Sequence, residues 1–328
     1  MAAGIGMSIE VLAAGFATSI QDTGRPGLRR FGIASGGALD PWALALANLL
    51  AGNAPGAAAL EVTLAGPTLR FETATRIALC GARIDAEVDG IPVPPARPLD
   101  LPADSVLRLG RCHDGARGYL AVHGGIALDP MLGSAATDLR AGFGGWHGRF
   151  LQRGDRLPLV ADAAIDAERL HVPAWWIDTA CDDRPRGDDT IIRVLPGSDP
   201  TSPADALFSR RWTVAADSNR QGLRLQGETL APADSGERIS EPVVPGTLQL
   251  PPDGQPIVLL ADAQSHGGYP RIGHAIRADW PLLAQLRPGD RLRFVACTPE
   301  AARHAFCSQR QRLHRIALAL DAKRPARA

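Results

Sequence analysis

One short run of the sequence gathers amide, hydroxyl, imidazole, phenol and guanidinium groups around a Gly-Gly bend. Its residues are Gln264, Ser265, His266, Gly267, Gly268, Tyr269, Pro270 and Arg271. The apolar segment before it, Ile257 to Ala261, indicates a buried strand, so the run begins where a strand leaves the core. Glycines there permit positive φ and let a ligand approach backbone N–H groups. We expect this loop to bind a ligand, because a simple turn requires neither His266 nor Tyr269 beside Gln264.

Two other polar clusters could contribute to the same chemistry. Gln21, Asp22 and Arg25 lie within five residues and offer an acid or base beside an anion clamp. The alternative is a turn in which Asp22 caps local N–H groups while Arg25 neutralises its charge. Asn219 and Arg220 precede a predicted strand and could hold a carboxylate or phosphate, with a surface turn as the alternative.

Several common catalytic motifs are absent from the sequence. There is no G-x-x-x-x-G-K-[ST] nucleotide loop and no G-x-S-x-G nucleophile elbow. Histidines occur singly, without the spacing of a zinc site, so we expect no bound metal. Lys323 is the sole lysine and lies near the carboxyl end, which excludes a covalent biotin on this chain but not a reaction with biotin carried elsewhere.

Composition narrows the setting. The 328 residues carry 35 basic and 35 acidic side chains, so no long-range field favours nucleic acid or an anionic membrane. Five widely spaced cysteines without a C-x-x-C pair argue against a disulfide framework and indicate reduced thiols. The amino terminus lacks a basic signal-peptide region, and no apolar window reaches the length of about 18 residues that a membrane span needs. We expect a cytoplasmic protein.

Short β segments separated by Gly, Pro and Asp turns dominate the pattern and predict a mainly β fold with a few helices. The predicted strands are Leu60 to Ala65, Thr68 to Glu72, Arg76 to Cys80, Ile84 to Val88, Val106 to Leu109, Tyr119 to His123, Ile191 to Leu195, Trp212 to Ala215, Leu223 to Leu225, Ile257 to Ala261 and Leu292 to Ala296. Asp89-Gly90 indicates a hairpin turn. One helix should run from an Asp40 cap to Gly52, and a second should begin at Thr298-Pro299 and fray after Lys323.

The two halves of the chain share a pattern. Leu151 to Val160 and Leu286 to Val295 both have the form L-x-x-G-D-x-L and close one half each. Two related β domains would explain this, and so would a turn that suits entry into any strand. We expect domains at residues 8–177 and 190–321, joined by a Pro, Asp and Arg-rich linker from Asp178 to Asp189.

The ordered motifs resemble one known family. They are Gln21 to Arg25, Ser35 to Asp40, Ala47 to Asn53, Leu60 to Pro67, Tyr119 to Gly125, Leu132 to Ser134, Ser218 to Arg220 and Gly254 to Leu259 leading into the Gly-Gly-Tyr-Pro-Arg run. The chain is similar to the family of C-type 5-oxoprolinase subunits, also called KipA, allophanate hydrolase subunit 2 or biotin-dependent carboxyltransferase family proteins. The resemblance implies a pair of cyclophilin-like β-barrel domains that together form one carboxyltransferase-like unit. Ser265-His266 departs from the commoner Thr-Thr of the family, and Gln221 and Leu223 replace a typical Met and Tyr.

For the 5-oxoprolinase members, the resemblance implies an assembly with A-type and B-type partners that opens the lactam 5-oxoproline to glutamate using ATP shared with those partners. The chain alone should then be inactive or nearly so. We expect Asp22 or His266 to move a proton and Arg220 and Arg271 to hold anionic oxygens. The other candidate substrate-binding residues are Gln21, Arg25, Asn219, Gln264, Ser265, Gly267, Gly268 and Tyr269.

Two other functions stay open on the same resemblance. The chain could transfer a carboxyl group from carboxybiotin, carried on another chain, to urea or a related amide. It could also act without catalysis, by binding an inhibitor of a sensor kinase.

Overall fold

The computed structural model describes residues 7–160, 165–184, 187–199, 201–203, 205–232 and 239–323. Strands hold 36% of the residues and helices 17%, which confirms the mainly β prediction. Contacts divide the chain into two compact units. The first comprises the chain to Gly24, Gly36–Ala180 and the chain from Leu313, and the second comprises Arg25–Ser35 and Cys181–Arg312. The segment Arg25–Ser35 thus joins the second unit, an exchange that the linear boundaries 8–177 and 190–321 do not describe.

The first unit contains one curled antiparallel sheet of nine strands. The strands are β1 (Ser8–Ala13), β2 (Ala17–Gln21), β3 (Ala59–Thr63), β4 (Thr68–Phe71), β5 (Thr75–Val88), β6 (Ile91–Pro92), β7 (Pro98–Leu101), β8 (Ser105–Val122) and β9 (Arg156–Pro158). Their order is β2-β3-β8-β4-β1-β9, with β5 pairing to β6, β7 and β8. Alternating apolar residues of these strands, such as Ile9, Leu69 and Phe71, fill one fully buried core. Two of the strands are long, so each contains two segments that the sequence predicted separately.

The hairpin turn and the first helix form as predicted. Asp89 and Gly90 both adopt positive φ between β5 and β6, the conformation that a two-residue hairpin turn requires. Helix α1 (Pro41–Ala51) begins with the Asp40 carboxylate accepting a hydrogen bond from the Ala43 amide and ends at Gly52 in the left-handed region.

Buried polar groups under α1 satisfy one another. The Tyr119 hydroxyl donates to Glu61 Oε2 at 2.6 Å and accepts from the Asp40 amide at 2.8 Å. Burial, reinforced by the Glu61 carboxylate, raises the pKa of Tyr119 well above its ordinary value. Asn48 donates to the Ala57 carbonyl. Glu61 and Asn48 therefore have a structural, hydrogen-bonded role beside α1.

The second unit contains a closed seven-stranded barrel. The described strands of this unit are β10 (Thr190–Pro196), β11 (Thr201–Ser202), β12 (Arg211–Val214), β13 (Gly222–Gln226), β14 (Ala231–Pro232), β15 (Glu241–Pro242), β16 (Thr247–Gln249), β17 (Ile257–Leu259), β18 (His266–Gly267), β19 (Arg271–Ala275) and β20 (Arg291–Ala296). The barrel closes in the order β10-β19-β16-β17-β13-β12-β20, and β11-β14 and β15-β18 form separate two-stranded ribbons. Strands β10 and β20 pair in parallel, which closes the barrel between its first and last strands.

Three helices complete the described chain: α2 (Ala206–Ser209), α3 (Trp280–Gln285) and α4 (Pro299–Lys323). Helix α4 begins at the predicted position, and the predicted frayed tail after Lys323 lies outside the described residues. No helix in the described part of the chain combines the length and the apolar character needed to cross a membrane.

The repeated L-x-x-G-D-x-L pattern forms the same turn in both units. In the first, Gly154 N donates to the Val11 carbonyl and Val11 N donates to the Asp155 carbonyl. In the second, Gly289 N and the Asp290 carbonyl make the same two bonds with Val214. In each turn the Asp side chain also accepts from the backbone N–H three residues earlier. The turns therefore match in how they join a neighbouring strand as well as in sequence.

A buried carboxylate holds β10, the first strand of the barrel in the second unit. Asp279 is fully buried and accepts from the Arg193 backbone N at 2.7 Å and from the Arg193 guanidinium at 2.5 Å. Arg184 Nη2 donates to the same carboxylate at 2.8 Å. A buried charge is stable only when such partners replace its lost hydration.

We predict that Asp279→Ala lowers the free energy of unfolding by about 3–5 kcal/mol, because the change removes the shared partner of two partly buried guanidinium groups. Denaturant unfolding, followed by a signal from the second unit, measures this change in the free energy of unfolding. Asp217→Ala, which removes the exposed partner of Arg224, is the matched control and should have no measurable effect. Equal effects of the two substitutions would contradict the prediction.

Candidate functional site

The candidate residues fall into both units. Gln21 and Asp22 belong to the first unit, and the remaining candidates belong to the second, including Arg25. The largest set lies on the segment Asp262–Arg271, here called the Gly-Gly loop. This loop leaves the barrel after β17, includes β18 and returns to the barrel as β19. The strand-exit position expected from the sequence is therefore observed.

Gly267 is required by close packing. It pairs with Glu241 in the β15-β18 ribbon, and a Cβ added to it would lie 2.5 Å from Gln249 Nε2. A side chain there would displace the Gln249 amide. The φ angle of Gly267 is outside the left-handed region, so this position does not use the positive φ that glycine permits. The glycine serves to bring the loop backbone against a buried amide.

Arg29 holds the start of the Gly-Gly loop. Its guanidinium donates to the carbonyls of Val243 at 2.6 Å, Gln264 at 2.5 Å and Ala263 at 3.3 Å. These carbonyls leave the barrel ladder, so they need donors from elsewhere. Burial lowers the pKa of the Arg29 guanidinium. Arg29 comes from the segment Arg25–Ser35, which explains why that segment belongs to the second unit.

Arg220 and Asp262 form a buried ion pair at the loop's first residue. Arg220 Nε donates to Asp262 Oδ2 at 2.8 Å, and Nη2 donates to Oδ1 at 3.1 Å. This two-point geometry is the strongest form of an arginine–carboxylate pair. Arg220 therefore orients the loop, a contact that the sequence did not indicate, and its predicted contact with a substrate anion stays a prediction. The neighbouring Asn219 side chain accepts from the Gln221 amide at 2.8 Å, as in the surface-turn alternative.

Arg271 anchors the other end of the loop. Its backbone N donates to Asp199 Oδ2 at 2.8 Å, and its guanidinium pairs with Glu241. The guanidinium also lies 3.7 Å from Asp199 Oδ2. Two acidic side chains thus surround Arg271, whereas the sequence suggested that its partner would be a substrate anion. That role also stays a prediction.

The middle of the loop presents its side chains to solvent. His266 is exposed, and its Nδ1 lies 3.0 Å from Ser265 Oγ, a hydrogen bond that holds the ring and leaves Nε2 accessible. Tyr269 is 46% exposed, which is unusual for an aromatic side chain in a braced loop. Imidazole, phenol and the Gln264 amide are therefore the groups of this loop that can meet a small molecule.

Gln249 lies beneath the loop and is only 1% exposed. Its Oε1 accepts a hydrogen bond from Gln264 Nε2 at 3.3 Å. Its Nε2 has no hydrogen-bond partner among the described residues. Gln249 pairs with Arg271 across β16-β19, next to a bulge in which Ile272 is the extra residue on β19.

In the first unit, Asp22 organises a loop. Its Oδ1 accepts from Gly24 N at 2.7 Å and from Ser134 Oγ at 2.6 Å, and its Oδ2 accepts from Ala135 N at 2.7 Å. Gln21 is fully buried and donates to the Thr137 carbonyl. Asp22 therefore caps one local N–H group, as the turn alternative predicts, and also binds two groups that lie far away along the chain. Neutralisation by Arg25 and catalysis by Asp22 both stay predictions. Arg25 is buried, with its backbone N donating to the Ser35 carbonyl at 2.6 Å.

Sequence reasoning missed four residues of this arrangement, namely Arg29, Asp199, Glu241 and Gln249. Only Gln249 carried a usable signal, because it is a polar residue between Leu248 and Leu250. The other three lie in polar segments where many residues are solvated. No three candidate metal ligands come together in the described ranges.

A family model for the carboxyltransferase domain, subdomain A and B, matches residues 31–296. The chain belongs to this carboxyltransferase domain family. It is 40% identical over 315 residues to the C-type 5-oxoprolinase subunit of Escherichia coli, which covers 94% of this chain and 97% of that protein. It is 38% identical over 303 residues to the C-type 5-oxoprolinase subunit of Haemophilus influenzae, covering 90% and 93% of the two chains.

A solved structure gives the same family relation. The crystal structure of the Kluyveromyces lactis urea amidolyase matches with a TM-score of 0.85 and 29% identity, covering 94% of this chain and 20% of that one. The similarity therefore spans almost all of this chain and of its 5-oxoprolinase relatives, but only one fifth of the amidolyase. The predicted fold class and family are confirmed.

We predict that Arg29→Met loosens the Gly-Gly loop of this carboxyltransferase-domain protein. The Val243 amide donates to the Ser265 carbonyl at 2.9 Å, so its hydrogen exchange reports on the loop. Loss of the charged donor should speed that exchange at least about tenfold. Arg30→Met, which removes an exposed guanidinium stacked on Phe31, is the control. An unchanged rate of hydrogen exchange at the Val243 amide in the Arg29→Met variant would contradict the prediction.

A second prediction concerns His274 on β19, whose pKa is lowered by burial. The unfolded chain then binds a proton at higher pH than the folded one. The stabilisation is complete above the unfolded pKa of about 6.5 and is lost as pH falls from there toward the lower folded pKa. Melting temperature should therefore fall between pH 7 and 5 less steeply in His274→Gln than in the unsubstituted chain. His304→Gln, on the exposed side of α4, should keep the full slope, and identical slopes in all three would refute this.

Proposed function

We propose that this chain is the C component of an ATP-dependent 5-oxoprolinase, which opens the five-membered lactam of 5-oxoproline to L-glutamate. The observation that carries the proposal is the 40% identity to the C-type 5-oxoprolinase subunit of Escherichia coli over nearly the whole of both chains. Similarity over full length argues for a shared role, because no part of the relative is left for a separate activity.

The chemistry explains a need for ATP. Amide resonance makes the lactam carbonyl carbon resistant to attack by water. Transfer of the terminal phosphoryl group of ATP to the carbonyl oxygen gives ADP and converts that oxygen into part of a leaving group. A first water adds to the carbon, and the ring C–N bond breaks as the nitrogen takes a proton, which leaves an acyl phosphate. A second water then attacks the acyl carbon, and inorganic phosphate departs with the electron pair of the broken C–O bond to give glutamate. The protein must therefore bind the ring, hold the developing charge and move protons.

The Gly-Gly loop is the proposed ring-binding element. His266 moves a proton, because it is exposed and its ring is held by Ser265. Gln264 and Tyr269 orient the ring. Arg220 and Arg271 act mainly through the position of the loop, since Asp262 in one case and Glu241 and Asp199 in the other already engage their guanidinium groups. Asp22 supports the first unit in the same indirect way.

Partner proteins complete the proposed enzyme. The relatives are named as one subunit among several, and we propose A-type and B-type homologues as the partners of this chain. The three arginines that hold the Gly-Gly loop, namely Arg29, Arg220 and Arg271, are engaged with protein oxygens, which favours an ATP site formed largely by the partners. The purified chain alone should then be inactive or nearly so.

Carboxyl transfer to urea is the second candidate, favoured by the TM-score of 0.85 to the Kluyveromyces lactis urea amidolyase. Biotin would have to be carried elsewhere, because Lys323 is the sole lysine and ends helix α4 with its ammonium group 5.0 Å from the Trp175 ring centre. A non-catalytic role as an antagonist of a kinase inhibitor has no feature of the described residues in its favour.

The decisive experiment is co-expression of this chain with its A-type and B-type partners, followed by measurement of glutamate and ADP from 5-oxoproline, with urea and a biotin carrier as the second arm. We expect ATP-dependent glutamate release. His266→Ala should lower its rate about a hundredfold, the usual size of a lost proton-transfer group. His304→Ala is the matched surface control. Turnover of urea without glutamate release would overturn the proposal, and an unaffected His266→Ala variant would remove the role of His266.

A further inference from the structure

The amide of Gln249 is a buried polar group to which the proposed chemistry gives no role. The residue is 1% exposed, and its Nε2 lacks a hydrogen-bond partner in the part of the chain that the structure describes. Buried donors without partners cost free energy, and they persist where a function requires the group. The Oε1 atom of this side chain is bonded to Gln264, which lies in the Gly-Gly loop.

That hydrogen bond determines what Gln264 presents. Gln249 Oε1 accepts from Gln264 Nε2 at 3.3 Å, so the amide nitrogen of Gln264 points inward. The same residue is held at its backbone carbonyl by Arg29 at 2.5 Å. Arg29 fixes the backbone of Gln264, and Gln249 fixes its amide nitrogen. Gln264 Oε1 is therefore directed away from Gln249. Oε1 is not among the buried polar atoms that lack partners in the described ranges.

Packing keeps Gln249 in this position. Its amide lies against Gly267, where an added Cβ would be 2.5 Å from Nε2 and 3.4 Å from Oε1. Successive residues of a strand point to opposite faces, so Gln249 and the fully buried Leu248 lie on opposite faces of β16. Gln249 thus has little space in which to move.

We propose that Gln249 is a positioning residue that makes Gln264 Oε1 a hydrogen-bond acceptor for the N–H of a small cyclic amide. This inference rests on the proposed function and adds a reason why the site would select one substrate over its close analogues. An amide N–H is a donor, whereas a ring oxygen at the same place is an acceptor that would repel Gln264 Oε1. The site therefore selects the lactam over a lactone that has the same ring size and the same carboxylate group.

The test compares 5-oxoproline with its lactone analogue, 5-oxotetrahydrofuran-2-carboxylate, on the assembled complex of all three proteins. Titration calorimetry gives the dissociation constants of both, and glutamate release gives KM and kcat for the lactam. We expect the unsubstituted complex to bind the lactam at least about tenfold more tightly, since sites built around a substrate N–H reject analogues that lack it.

Gln249→Met removes the acceptor at nearly constant volume. The preference for lactam over lactone should then fall below about threefold, with KM raised more than kcat is lowered, because Gln264 can turn its nitrogen outward. Gln249→Glu keeps an oxygen for Gln264 Nε2 and should restore much of the preference. Gln264→Leu removes the acceptor itself without changing a buried residue, and it tests the same preference if the Gln249 variants fold poorly. Gln226→Met, on the exposed face of β13, is the matched control and should behave like the unsubstituted complex.

The outcomes separate this inference from the proposed function. Selective binding of the lactam without glutamate release would sustain the inference and overturn the proposed reaction. Glutamate release together with equal binding of lactam and lactone would sustain the proposed reaction and overturn the inference. The inference is also overturned if a folded Gln249→Met complex keeps the full preference, or if the lactam does not bind.

Discussion

The Arg29 guanidinium is the interaction on which the candidate site depends most. The Gly-Gly loop leaves a closed barrel, so the carbonyls at its start lose the donors that a neighbouring strand would supply. Arg29 replaces those donors for Val243, Ala263 and Gln264 at once. A planar group with five N–H donors suits this task, and the compact ammonium of lysine could not reach three carbonyls in the same way. The loop can therefore carry exposed polar side chains on a fixed backbone.

Two ion-paired arginines extend the same principle along the loop. Arg220 binds Asp262 where the loop begins, and Arg271 binds Asp199 and Glu241 where the loop returns to β19. Each arginine has a charge that a substrate could use, yet in the structure that charge holds the loop in position. Substrate contact is then left to neutral or weakly basic groups, namely the Gln264 amide, the His266 imidazole and the Tyr269 phenol. Recognition by shape and hydrogen bonds suits a small cyclic amide better than recognition by charge alone.

Local signals explain what the sequence could predict. Asp40, Pro41 and Gly52 fix the ends of α1 through their own backbone preferences, and Asp89-Gly90 sets its hairpin in the same way. The loop after β17 was predictable because an apolar strand ends there in a cluster of polar residues. The partners of Arg220 and Arg271 were not predictable, because ion pairs between residues so far apart along the chain depend on the closed barrel. Gly267 shows the same limit, since its reason is the distant amide of Gln249 and not its own φ angle.

The central claim is that the Gly-Gly loop of the second unit binds a small cyclic amide through the side chains of Gln264, His266 and Tyr269. A crystal structure of the assembled complex with 5-oxoproline tests it most directly. The account predicts the lactam ring against the loop, its N–H within hydrogen-bond distance of Gln264 Oε1 and its carbonyl side toward His266. A well-ordered lactam bound elsewhere, with Gln264 and His266 facing only water, would contradict the account.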